Sequence, residues 1–223
     1  MLSSDTLHPS SNTGRSRGTL TLDWLVVGGG VHGTHVASRL VAECGPAAEA
    51  LRVLDPAPAP MERWRRVTRN VGMEFLRSPV VHHVGGGSMD LARFAGTPRQ
   101  AARRRHFKGR YRRPSLDLFN THSEAVADAV GLRERWLVGA AFELRRRPSG
   151  VWEVAWEDGA VRARNVVLAI GACDDLEWPR WASKVRSAAA PGAVAHVLEE
   201  AELPSRPGMA EQGGVDVVVG AGM

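Results

Sequence analysis

Apolar residues along this chain change their period from segment to segment. Leu22 to Val27 is a short apolar run with β-branched residues, the pattern of a strand covered on both faces in a parallel sheet. After Gly28-Gly29-Gly30 the spacing becomes helical. It predicts a helix over about Val31 to Cys44, with Val36, Ala37 and Leu40 toward the sheet. A second short strand, Leu51 to Leu54, ends at Asp55, and the Pro56 to Pro60 stretch breaks regular structure. Trp64, Val67, Val71, Phe75 and Leu76 space one or two short helices between Met61 and Arg77, and Ser78-Pro79 turns the chain. Val84 to Gly87 reads as a glycine-rich loop and Ser88 to Phe94 as a helical turn or more. Pro114-Ser115 opens a clear helix with Leu116, Phe119, Val126 and Val130 near helical spacing, and Gly131 stops it.

The pattern then turns to strands. Trp136 to Leu144 is expected to form one, Val151 to Trp156 a second by alternation, and Ala160 to Asn165 a third after the turn Glu157-Asp158-Gly159. Val166 to Ile170 is a separate, fully apolar strand ending at Gly171. Residues 172–214 hold several Pro and Gly and read as a linker with short helical pieces, before the apolar run Val215 to Val219. The expected organisation is a disordered tail over 1–18, a dinucleotide-binding domain over 19–175, a linker over 176–214, and the opening strand and turn of a second domain over 215–223.

The first glycine turn carries chemistry because of its context. Strand, G-x-G-x-x-G, helix, strand and acid follow in the order of a dinucleotide-binding unit. Gly28 serves the tight turn, Gly30 lets the backbone approach a pyrophosphate, and Gly33 lets the helix pack close to the strand. The amides around Val31 and His32 would face the phosphates. Asp55 follows Gly33 by 22 residues, near the spacing of an acid that holds a ribose diol and repels a 2′-phosphate, so this site is expected to take FAD or NAD rather than NADP. The alternative is a plain glycine turn beside a surface aspartate. A second glycine pair, Gly220 and Gly222, follows the strand pattern of Val215 to Val219. Two such turns point to one site for a flavin and one for a nicotinamide.

Composition narrows the rest. The 223 residues suit one sizeable domain and part of another, and the hydrophobic content of 43% suffices for a packed core. No apolar run reaches the length of a membrane span, no secretory pattern is visible in residues 1–18, and Cys44 and Cys173 stand alone, so a cytoplasmic setting is expected. Cys173 without a second cysteine argues against a dithiol reductase. The net charge is +5, and Arg99 to Arg113 holds eight Lys or Arg and no acid. Three readings stand for this run: a solvated arginine-rich loop, a mobile loop over an anionic cofactor or substrate, and, least favoured, a nucleic-acid contact. His82 and His83 lack partners at metal-ligand spacing, which leaves proton transfer or a structural role; His32 and His35 read as helix-surface residues. No G-x-S-x-G or H-E-x-x-H motif supports a hydrolase.

Three segments carry a family resemblance. Leu168-Ala169-Ile170-Gly171 followed by Trp178-Pro179 resembles the A-T-G … P segment of flavoproteins, with Ile in the Thr position. Gly72 to His83 (GMEFLRSPVVHH) and Tyr111 to Asn120 (YRRPSLDLFN) resemble FAD/NAD(P)-binding proteins near the ornithine and lysine N-hydroxylases, within the flavin-dependent monooxygenases. The resemblance implies an α/β fold, a Rossmann-like FAD-binding domain whose parallel sheet is closed by a β-meander crossover. It places Gly28, Gly30 and Gly33 on the FAD pyrophosphate and Asp55 on the adenosine ribose. It sets Leu76, Arg77 and Ser78 near the isoalloxazine, Ala169 and Gly171 at a strand end close to the flavin, and Gly220 and Gly222 at the start of an NADPH turn. Arg77 is then a candidate to balance charge on reduced flavin or position NADPH, the alternative being a surface arginine. The implied activity is NADPH-dependent oxygenation of a small-molecule substrate through FAD. The alternatives are a flavin reductase or dehydrogenase without oxygenation and an inactive truncated FAD-binding chain. The second turn lacks a third glycine and a helix within 223 residues, so the chain is expected not to oxidise NADPH efficiently.

Overall fold

A strand flanked on both sides and covered on both faces must be largely apolar, and Leu22 to Val27 meets that demand apart from Asp23, which pairs with Arg164 at 2.9 Å near the strand's start. A computed structural model describes residues 21–96, 106–171, 176–189 and 194–199. Its elements run β1 (Thr21–Val27), α1 (Val31–Cys44), β2 (Leu51–Asp55), α2 (Glu62–Asn70), α3 (Asp90–Phe94), β3 (Phe107–Lys108), β4 (Arg113–Pro114), α4 (Leu116–Ala129), β5 (Trp136–Val138), β6 (Glu143–Arg146), β7 (Trp152–Trp156), β8 (Gly159–Leu168) and α5 (Arg180–Ala188). The main sheet has the order β5-β2-β1-β8-β7-β6. β1 pairs in parallel with β2 and β8, and β2 in parallel with β5. β6, β7 and β8 pair antiparallel. This is the expected architecture, a parallel Rossmann-like sheet with a meander leading into its last parallel strand.

Alternation along β1 divides the core. Leu25 and Val27 face a cluster with Leu54, Val154, Val161 and Ala163, under the meander. Trp24 and Val26 face the opposite side, with Ala37 of α1, Ala127 of α4, Leu51, Val53 and Leu132. A third cluster, Met61, Leu76, Val80, Val84, Leu91, Leu118 and Phe119, fills a helical lobe built by the insert between β2 and α4. Ser115 caps α4 by accepting from the Leu118 amide at 3.3 Å. Gly131, at φ +58°, ends it in the left-handed conformation that glycine adopts without strain.

Several boundaries differ from the expectation. Trp136 to Leu144 is two strands: β5 ends at Val138, Gly139 turns the chain beside the Trp156 ring, and β6 begins at Glu143 in the meander. Ala160 to Ile170 is one strand, β8, which stops at Leu168. Its pattern changes midway because its partners do: residues 160–163 pair with β7, and residues from 162 onward pair with β1. On α1 the fully buried residues are Gly33, Thr34, Ala37 and Ser38, while Val36 is only half-buried. On α4 they are Leu118, Phe119, His122, Ser123 and Ala127, whereas Leu116, Val126 and Val130 lie at the margin. The basic run is a loop only in part: Phe107–Lys108 and Arg113–Pro114 form a hairpin, with Lys108 over the Phe75 ring and Arg112 over Phe107. Residues 97–105 lie outside the described residues, as do the tail, Cys173 and the run from Val215.

Leu25 is fully buried at the centre of the sheet. Leu25→Ala is expected to lower stability by about 2–5 kcal/mol, the range for a buried leucine that leaves a cavity. Urea denaturation should show a lower midpoint with an unchanged slope; an unshifted midpoint contradicts the central placement of β1.

Candidate dinucleotide-binding site

The site lies where the chain reverses its direction across the sheet. β2 and β8 flank β1 on opposite sides, so their carboxyl ends leave a crevice beside the end of β1. The turn after β1 is fastened to both neighbours: the Gly28 amide donates to the Leu54 carbonyl at 2.8 Å, and the Ala169 amide donates to the Val27 carbonyl at 2.7 Å.

Each glycine of the turn answers a different constraint. Gly28 has φ +102°, and a Cβ there would lie 2.4 Å from the Ala169 carbonyl oxygen. A Cβ on Gly33 would lie 1.8 Å from the Gly28 oxygen, so α1 packs against the turn at a distance only glycine permits. A Cβ on Gly29 would enter the Trp136 ring at 2.0 Å. Gly30 differs from all three, because a Cβ built on it meets nothing within 4 Å. Packing does not require glycine there. The open space in front of Gly30 is the cradle a pyrophosphate needs.

Gly30 is also the N-cap of α1, and no side chain caps the helix. The first four amides, Gly30, Val31, His32 and Gly33, therefore have no intrahelical acceptor, and the first turn contains no acid. Together with the helix dipole they form a seat for an anion. His32 is exposed on that turn. The donor set and the open cradle fit the diphosphate of a dinucleotide.

Asp55, at the end of β2, points into the turn. Its Oδ2 accepts from the Gly29 amide at 2.5 Å and its Oδ1 from the Ala57 amide at 2.8 Å. The Gly29 carbonyl accepts from the Thr34 hydroxyl at 3.0 Å and from the Met61 amide at 2.9 Å. Met61 is buried and held at φ +62°, a costly conformation for a non-glycine residue. The Trp136 indole donates to the Ala57 carbonyl at 2.8 Å and lies against Gly29. Thr34, Met61 and Trp136 were not singled out in the sequence. A hydroxyl on the sheet-facing side of α1 was the available signal for Thr34; nothing local marks the other two.

The remaining expected residues are distributed around this turn. Leu76 is buried, and its amide donates to the Pro114 carbonyl at 2.9 Å, so Leu76-Arg77-Ser78 is tied to the start of α4. Arg77 is exposed and has no partner among the described residues; Ser78 is half-buried. Ala169 touches the turn directly, while Leu168 and Ile170 are 59% and 60% exposed and form an apolar lip beside it. Gly171 follows at φ +71°. His35 is more than a surface residue: its Nδ1 lies 2.7 Å from the Val84 carbonyl oxygen and joins α1 to the helical lobe. Gly220 and Gly222 lie outside the described residues. Among the described residues no group of His, Cys, Asp and Glu could hold a metal ion, and no helix is long and apolar enough to cross a membrane.

Solved structures share this fold. Cyclohexanone monooxygenase (a mutant) from Rhodococcus sp. Phi1 bound to NADP+ is 17% identical, with a TM-score of 0.52 over 72% of this chain and 28% of that one. An oxidized steroid monooxygenase bound to NADP is 18% identical, with a TM-score of 0.51 over 71% and 28%. OTEMO in complex with FAD and NADP is 16% identical, with a TM-score of 0.50 over 71% and 27%. The chain thus spans under a third of the length of these proteins. No curated protein matches it by sequence. The FAD-NAD(P)-binding family matches residues 25–173, a range that holds the glycine turn, Asp55, the helical lobe and the whole meander, and the chain belongs to that family.

Proposed function

We propose that the first glycine turn binds FAD and that the chain serves an NAD(P)H-dependent flavin monooxygenation of a small molecule. The observation that carries the reading is the uncapped N-terminus of α1 facing open space at Gly30, with Asp55 alongside. The amides of Gly30, Val31, His32 and Gly33 would hold the diphosphate. Asp55 would accept from the adenosine ribose through lone pairs left free by the Gly29 and Ala57 amides, and its charge disfavours a 2′-phosphate. Leu76, Arg77, Ser78, Ala169 and Gly171 would border the flavin ring, with Leu168 and Ile170 keeping water from it. Arg77, free of partners among the described residues, is the cation available to a reduced flavin. Bound FAD supplies hydride acceptance from a nicotinamide and electron delivery to O₂, while the protein binds, orients and desolvates. Residues 19–175 form the FAD-binding domain in this reading, 176–214 a linker, and Gly220 and Gly222 belong to a turn for NADPH. The two lone cysteines support a reducing, cytoplasmic setting.

Titration of the purified chain decides the cofactor. FAD should bind with a perturbed flavin spectrum and quenched fluorescence; saturation by NAD with no response to FAD overturns the assignment.

Two glycine variants separate cofactor from fold. Gly30→Val places its Cβ in open space at an ordinary backbone angle of φ −67°, so the protein should stay folded, with a loss of no more than about 1 kcal/mol from the poorer N-cap. FAD affinity should fall at least about tenfold, or ~1.4 kcal/mol. Gly33→Ala drives a methyl into the Gly28 carbonyl and should cost several kcal/mol of stability, on the order of other overpacked or strained sites. Retained FAD binding in a folded Gly30→Val protein contradicts the cradle.

A further inference from the structure

An acid–base cluster stands in the helical lobe, where residues 83–90 (HVGGGSMD) fold against α4. Two hydrogen bonds close this loop. The Gly85 amide donates to His83 Nδ1 at 3.0 Å, and the Gly87 amide donates to Asp90 Oδ2 at 2.6 Å. Both places are tight: a Cβ on Gly85 would lie 3.0 Å from His83 Nδ1, and one on Gly87 2.7 Å from Asp90 Oδ1. The first bond sets the tautomer of neutral His83. A ring nitrogen that accepts from an amide carries no proton, so the proton of neutral His83 sits on Nε2, 3.3 Å from the Ser88 carbonyl oxygen.

His122 of α4 backs the loop. It is 3% exposed, and its ring stands edge-on to His83 at 5.2 Å and to Phe94 at 5.2 Å. Its Nδ1 is buried with no hydrogen-bond partner among the described residues. An imidazolium carries a proton on both nitrogens, so a charged His122 would bury a donor with no acceptor. A charged His83 loses the Gly85 bond, a charged His122 gains a buried donor, and two charged rings at this separation repel.

We propose that residues 83–90 are a proton-sensitive latch, closed against α4 while His83 and His122 are neutral and released by acidification. The surrounding charges are Asp90 and Arg93 on α3, paired at 2.9 Å, and His35, Arg39 and Glu43 on α1, with Arg39 also paired to Glu43. Asp90 is not the sensor. The Gly87 amide, and then Arg93, hold its carboxyl below its ordinary range, so its contribution is lost only at more acidic pH. Burial, and then His83, push His122 below its ordinary value. The open form therefore takes up protons first, from about pH 6.5 downward, and stability of the closed form falls through that window. His122 also lines a cavity of about 360 Å³ together with Asp90, Arg93, Phe94 and Val126.

Release would reach the glycine turn through α1. His35 bonds the Val84 carbonyl at 2.7 Å, and Arg39 donates to the Gly86 carbonyl at 2.6 Å. That coupling rests on the FAD assignment above; the latch does not.

Hydrogen exchange of the full chain, corrected for intrinsic rates, tests both. Peptides covering 83–90 should lose at least tenfold protection between pH 8 and pH 5.5, and peptides of β1 should not. His83→Asn supplies a non-titrating acceptor for Gly85, and His122→Phe keeps an aromatic ring beside Phe94. The double variant should remain protected at both pH values, whereas His82→Gln, at an exposed neighbour, should respond like wild type. An unresponsive wild-type loop, or an undiminished response in the double variant, overturns the latch. FAD titrated at both pH values separates the two ideas. Weaker binding at pH 5.5 supports the coupling, and equal binding with an open loop overturns it. A responsive loop with no FAD binding at either pH leaves the latch standing and removes the cofactor reading.

Discussion

Everything at the crevice depends on how closely α1 can approach the end of β1. With hydrogen in place of a side chain, Gly33 sits against the Gly28 carbonyl, and Gly28 in turn sits against Ala169, the residue after β8. Three backbones meet where any methyl group would part them. That contact holds α1 against the turn, and its first amides are left without intrahelical acceptors beside the open space at Gly30. The anion seat is thus a by-product of packing, with Gly30 left as the one turn glycine that packing does not explain.

The sheet distributes its duties by face. On one side α1 and α4 cover Val26, Leu51 and Val53. On the other the meander covers Leu25, Val27 and Leu54. At the meander, Glu153 of β7 accepts from Arg147 and, at 3.0 Å, from Arg162 of β8. The Arg147 bond and then the Arg162 bond hold the Glu153 carboxyl below its ordinary range. These pairs are on the surface and serve register more than stability. The helical lobe is inserted between β2 and α4, and it has its own small core, which includes Met61 and Leu76.

Much of this was legible in the sequence. The strand, glycine turn, helix, strand and Asp55 follow from period and order alone, and the meander from alternation and Glu157-Asp158-Gly159. What failed to show had physical reasons. Val138 to Phe142 is apolar without a break, so no periodicity reveals that Gly139 leaves one sheet neighbour for another. β8 reads as two strands because coverage changes along its length. His122 looks like a polar interruption on α4, and only the position of His83 across the lobe gives it a context. Trp136 and Met61 reach the turn from elements 81 and 6 residues beyond Asp55, distances across which local patterns carry no information.

Asp55 holds the turn's own amide with one oxygen and the start of the proline stretch with the other. The residue proposed to meet a cofactor's ribose is therefore also a structural pin of the loop proposed to hold the phosphates. In evolutionary terms this links preference and architecture. A lineage drifting toward a phosphorylated ribose cannot simply exchange the acid for an apolar or basic side chain, because the Gly29 amide would lose its acceptor in the same step. A compensating acceptor would have to arise first, from a neighbour such as Ala57 or Trp136, which makes the change a two-step path through an intermediate with no selective reward.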